Sequence, residues 1–113
     1  MGSSTDYLKQ KKAARALVME RIEYFNRIFG FGFGRVAIRN QKTRWGSCSR
    51  KGNLNFNVKM LLLPQYLIDY IVVHELCHLK HLNHSKQFWE LVAKVIPDYA
   101  ARKNELRKTG RIL

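Results

Sequence analysis

Gln65-Tyr66-Leu67-Ile68-Asp69-Tyr70-Ile71-Val72-Val73-His74-Glu75-Leu76-Cys77-His78-Leu79 is the stretch on which the fold turns. Leu67, Ile68, Ile71, Val72, Val73, Leu76 and Leu79 spread around most sides of a helical wheel, so a helix here is buried. Pro64 suits its first turn. The same buried helix carries His74, Glu75 and His78. Burying such groups without partners costs several kcal/mol, and a metal ion compensates directly. His74 and His78 are four apart, so both rings project from one face about one turn apart. That spacing lets two nitrogens reach one Zn²⁺ at about 2.0–2.1 Å. Glu75 is rotated by about 100° from His74 and borders the same site without being a ligand. A carboxylate there can act as general base toward a metal-activated water. Two core histidines satisfied by backbone or water would explain the rings but not the adjacent glutamate.

A catalytic zinc needs a third protein ligand and an open position. His81, His84, Glu90 and Cys77 are the candidates. His81 lies about 10 Å beyond His74 along a continuous helix axis, too far for one ion. His84 reaches the ion if the helix ends near Asn83, a residue that tolerates a left-handed turn. Geometry therefore favours His84, with Glu90 on the following helix as the alternative. Cys77 reads as a small buried apolar residue. The ligand spacing also matches the long metzincin motif, but His81 replaces its glycine and no methionine follows.

On the N-terminal side, Tyr7 to Phe29 reads as an amphipathic helix, with Ala14, Leu17, Val18, Ile22, Phe25, Ile28 and Phe29 on its apolar face. Gly30 and Gly32 end it. Arg35 to Asn57 alternates with a period of two, which predicts two or three short antiparallel strands and a hairpin near Gly52. On the C-terminal side, Ser85 is an N-cap for a third helix through Val95. Pro97 stops that helix, and Asp98 caps a short terminal one to about Lys108. The expected fold is α+β: an N-terminal helix, a small antiparallel sheet, a buried metal-binding helix and C-terminal helices.

The chain has 113 residues, which predicts one domain over 1–113, and 46% hydrophobic residues exclude a disordered polymer. Cys48 and Cys77 are too few for a disulfide framework. The polar N-terminus lacks a signal-peptide core. Leu61 to Leu79 is interrupted by polar residues and is no membrane span. A reducing cytoplasm fits these features. Lys and Arg number 21 against 8 Asp and Glu, a formal charge of +13. No acidic residue lies between Glu23 and Asp69, a stretch holding Arg27, Arg35, Arg39, Lys42, Arg44, Arg50, Lys51 and Lys59. Such a surface attracts polyanions, including nucleic acid.

The chain resembles the small bacterial YgjP-like metallopeptidase family from about Ala14 to Gly110. The resemblance rests on Lys42-Thr43-Arg44-Trp45-Gly46-Ser47-Cys48, Asn53-Leu54-Asn55-Phe56-Asn57, Val73-His74-Glu75-Leu76-Cys77-His78-Leu79 and Asn83-His84-Ser85-Lys86-Gln87-Phe88-Trp89. It implies a zincin-like fold, with His74, His78 and His84 as zinc ligands and Glu75 as the catalytic carboxylate. Members are usually longer at the N-terminus, so the chain reads as the family's C-terminal core. Members are also described as pyrophosphatases acting on UTP, and the related SprT-like proteases act on DNA-bound proteins, an analogy that suits the basic charge.

Arg44 and Trp45 are the candidate substrate-binding residues. Arg44 suits a carboxylate or phosphate, or an internal partner such as Glu90 or Asp98. Trp45 is a platform or a core residue. Gly46 allows close backbone approach or marks a bulge. Three functions follow as expectations: a zinc metallopeptidase acting on peptide or protein; a nucleotide pyrophosphatase using the same metal with Arg44, Lys42 or Arg39 on phosphates; and a nucleic-acid-associated module with structural zinc.

Overall fold

The computed structural model describes residues 4–109. In chain order the elements are α1 (Ser4–Phe29), β1 (Val36–Arg39), β2 (Gly46–Cys48), β3 (Leu54–Asn57), a 3-10 turn (Val58–Leu62), α2 (Gln65–His78), α3 (Lys86–Val95) and α4 (Tyr99–Thr109). The α+β order is the expected one. The 26 residues of α1 span about 39 Å at the helical rise, most of the molecule's 43 Å length. Its buried face is Ala14, Val18, Ile22 and Phe25. Ile28, expected on that face, is 64% exposed. Gly30 ends the helix in the left-handed region at φ +66°, which a Cβ would disfavour, whereas Gly32 has no positive φ.

The sheet departs from an antiparallel arrangement. β1 runs parallel to β3, with Val36 opposite Leu54 and Arg39 opposite Asn57. β2 runs antiparallel to β3, with Gly46 opposite Phe56 and Cys48 opposite Leu54. The strand order is β1-β3-β2, so β3 is central and the sheet is mixed. The hairpin lies where expected, between β2 and β3, and turns through Gly52 at φ +83°. The parallel pair arises because residues 40–45 carry the chain across to the far side of β3. Asn57 holds this crossing from inside. Its Nδ2 donates to the carbonyls of Gln41 at 2.9 Å and Arg44 at 2.8 Å, and its Oδ1 accepts from the Lys59 amide at 3.0 Å. Asn57 is fully buried with its polar atoms answered, although the alternating pattern put it on the polar face.

α2 lies at the centre, packed against α1, β2, α3 and α4. Leu67, Ile68, Ile71, Val72, Val73, Leu76 and Cys77 are all buried, as its all-round apolar pattern predicts. Pro64 sits at the N-cap, one position before the helix, and its carbonyl accepts from Leu67 and Ile68. Buried Asp69 meets Arg21 of α1 bidentately, at 2.7 Å from Nε and 3.1 Å from Nη2. Tyr66 donates its hydroxyl proton to Glu105, and Arg102 donates to the Tyr66 carbonyl at 3.2 Å, which fastens α4 to the start of α2. Asp98 does not cap α4 with its side chain. Its carboxylate pairs with Arg102, and its carbonyl accepts from the first helical amides. No helix among the described residues is long and apolar enough to cross a membrane.

Candidate metal centre and adjoining cleft

α2 ends at His78, five residues before Asn83. No left-handed Asn is needed, because no described residue other than glycine has positive φ. The reversal starts from two tightened bonds instead, Leu79 N–H to Leu76 O at 3.0 Å and Lys80 N–H to Cys77 O at 3.1 Å, with the His81 N–H sharing the Cys77 carbonyl at 3.0 Å. Ser85 then caps α3, its Oγ accepting from the Phe88 amide at 3.2 Å. His84 stands immediately before this cap and returns toward α2. Its Nε2 lies 3.0 Å from Nε2 of His78 and 3.1 Å from Nε2 of His74. His81 and Glu90 stay outside, lining a separate surface hollow with Lys80 and Lys94.

The donor set fits a metal ion. His78 donates its Nδ1 proton to the His81 carbonyl at 2.9 Å, which leaves Nε2 with a lone pair. His74 donates from Nδ1 to Glu75 Oε2 at 3.1 Å, since a carboxylate only accepts, and its Nε2 is likewise free. Burial holds the His78 imidazole below its ordinary pKa. Burial, reinforced by His74, His78 and Lys103, does the same for His84. Three imidazole Nε2 atoms thus converge, and one proton on His84 cannot serve both neighbours linearly. Nitrogens bound tetrahedrally at about 2.0–2.1 Å would be about 3.3–3.4 Å apart, close to the observed separations. Phe88 packs on all three rings, with centroids 4.4–5.1 Å away. Trp89 stacks on His84 and Tyr99 stacks on Trp89, so α3 orients the imidazoles from one side.

Glu75 is 5% exposed and faces β2. A Cβ at Gly46 would lie 3.2 Å from Glu75 Cγ, 3.3 Å from its Oε2 and 3.1 Å from the Asn55 carbonyl. Glycine here permits the close approach of strand to helix. Two hollows meet at this carboxylate. One of about 570 Å³ is lined by Trp45, Tyr70 and residues of α4. The other, about 320 Å³, is lined by Ser47, Cys48, His78, Leu82 and His84. Both include Arg44, Gly46, His74 and Glu75. Arg44 pairs with neither Glu90 nor Asp98, and Trp45 packs against the core while also lining the larger cleft. Burial and the Glu75 charge raise the Tyr70 phenol well above its ordinary pKa, so it stays protonated. Tyr70, Lys103, Leu106 and Arg107 were invisible as site residues in the sequence. Lys103 and Arg107 are four apart on one short helix, which is the only signal that pairs them.

An α+β fold with an HExxH helix beside a sheet edge, and a third histidine turned back onto it, defines a zincin-like metallopeptidase. The chain belongs to the YgjP-like metallopeptidase domain family, whose model matches residues 6–109. Among solved structures it is similar to the metallopeptidase zymogen of Pyrococcus abyssi abylysin, with 30% identity and a TM-score of 0.74 over 81% of this chain and 93% of that one. It also shares its fold with the metallopeptidase zymogen of Methanocaldococcus jannaschii jannalysin, at 21% identity and TM-score 0.63, covering 88% of this chain and 97% of that one. No curated protein matches the chain.

Proposed function

We propose that this metallopeptidase is zinc-dependent and hydrolyses peptide bonds, with His74, His78 and His84 holding the ion and Glu75 as general base. The observation that carries this reading is the convergence of three imidazole Nε2 atoms beside a buried carboxylate. When bound, zinc polarises a carbonyl and makes water more acidic. Glu75 takes the proton of the attacking water and returns it to the departing amine. Its contact with His74 Nδ1 and the lack of a side chain at Gly46 fix where that carboxylate sits. Tyr70, held protonated, offers a donor to the substrate from the cleft wall. β2 is an edge strand, and its free side suits pairing with an extended peptide. Arg44 and Trp45 bind substrate beside it. The metallopeptidase family and its solved relative lend phosphoanhydride hydrolysis no support, and Arg39, one candidate phosphate ligand, is engaged with Asn55 Oδ1 at 3.2 Å.

Metal analysis of the purified protein, paired with two variants, tests the reading. Glu75→Gln retains zinc and loses peptide hydrolysis by about 10²–10⁴-fold, the usual weight of a general base. His84→Ala loses the zinc. Full activity in Glu75→Gln would show that this mechanism is wrong.

A further inference from the structure

Four cations converge on the larger cleft beside His74 and Glu75: Lys42 and Arg44 from the 40–45 crossing, Lys103 and Arg107 from α4. All four are exposed, and none forms an ion pair with a described residue. The neighbouring charges on α4 are used otherwise: Arg102 pairs with Asp98, and Glu105 accepts from Tyr66. Among the described residues Glu75 is the one acid lining the cleft, and it is turned onto His74. Like charges gathered this way repel, and a bound anion relieves them. Trp45, Tyr70 and Leu106 give the same cleft apolar lining. Lys103 is also held in place, its Nζ 4.7 Å from the centre of the Trp89 ring.

We infer that this cleft selects a carboxylate on the peptide substrate, close to the bond that is cut. The inference rests on the peptidase reading and adds the substrate class. The carboxylate comes either from an acidic side chain or from a free C-terminus. In both cases Arg44 offers a planar fork that matches it, and Lys103 and Arg107 approach from the facing helix. A lysine or arginine side chain at the same position meets four like charges and is rejected.

Quenched fluorogenic peptides test this, with Glu, Gln or Lys scanned through each position around the scissile bond and the C-terminus free or amidated. The zinc-loaded protein is expected to favour one carboxylate-bearing arm over its neutral counterpart by about fivefold to tenfold in kcat/KM, the worth of one or two exposed charge pairs. Lys103→Gln with Arg107→Gln brings that ratio close to one. Lys103→Glu with Arg107→Glu turns the preference toward Lys. Binding gives a second readout, by fluorescence anisotropy of the labelled peptides on zinc-loaded Glu75→Gln. The acidic or free-ended peptide binds more tightly there, and added salt erases the difference. Equal turnover and equal binding of Glu, Gln and amidated peptides overturns the inference while leaving the peptidase reading intact. If no peptide is cleaved the peptidase reading fails, and the anisotropy arm still decides whether the cleft binds carboxylates.

Discussion

Gly46 sits where β2 touches Glu75, the proposed general base, so its missing side chain bears directly on the proposed chemistry. Gly46→Ala forces the new methyl against Glu75 and the Asn55 carbonyl. Overpacking of this kind costs about 1–3 kcal/mol, visible as a lower thermal midpoint. It also moves the carboxylate, so kcat falls further than the stability loss explains. Cys48 gives a second check at this scale. Burial, with a smaller push from the Glu75 charge, raises its thiol to about 11. A raised pKa means less thiolate at any pH below it. At pH 8 the folded protein is expected to be alkylated by iodoacetamide roughly a hundredfold more slowly than the unfolded chain, with reactivity recovering only as pH nears 11. The candidate site on α2 was legible because a buried helix cannot hide two imidazoles and a carboxylate without a partner. Gly46 left two readings open, since a close approach becomes visible only once both surfaces are placed.

Between α2 and α3 the chain must stop one helix, reverse and start another within the seven residues 79–85. Both ends of that link bear on the site: the His81 carbonyl orients His78, and the Ser85 cap fixes the residue after His84. Ser85→Ala is expected to cost about 1 kcal/mol of stability. It also weakens zinc retention in a chelator competition, because His84 loses the anchor beside it. Unchanged zinc affinity in a destabilised Ser85→Ala variant would mean that the turn alone positions His84. The cap was plain in the sequence, as were the apolar face of α1 and the all-round apolar character of α2. The parallel pairing of β1 with β3 was not. Alternation reports which face a residue takes and says nothing about neighbour order, and the crossing at 40–45 depends on the buried side chain of Asn57.

At the scale of the whole molecule, α2 is both the core and the bearer of the site, and the Arg21–Asp69 pair joins it to α1. Arg21→Met leaves a buried carboxylate without its partner and is expected to cost on the order of 3 kcal/mol in denaturant unfolding. Replacing both residues, Arg21→Met with Asp69→Leu, costs much less, since an apolar pair of similar volume can stand in for a buried ion pair. Composition signalled the excess of positive charge but not its address. The cleft draws its cations from residues about sixty apart in sequence, and only the contact of α4 with α2 brings them to one cleft.

The Asn57 clamp has a consequence for redesign. The crossing that carries Lys42, Arg44 and Trp45 is tied to the interior through the main-chain carbonyls of Gln41 and Arg44, and through one side chain, Trp45, packed on the core. Positions 42–44, all exposed, therefore form a replaceable cassette whose path is dictated from beneath. Libraries built there can retune which peptides are accepted while the frame and the histidine cluster stay as they are.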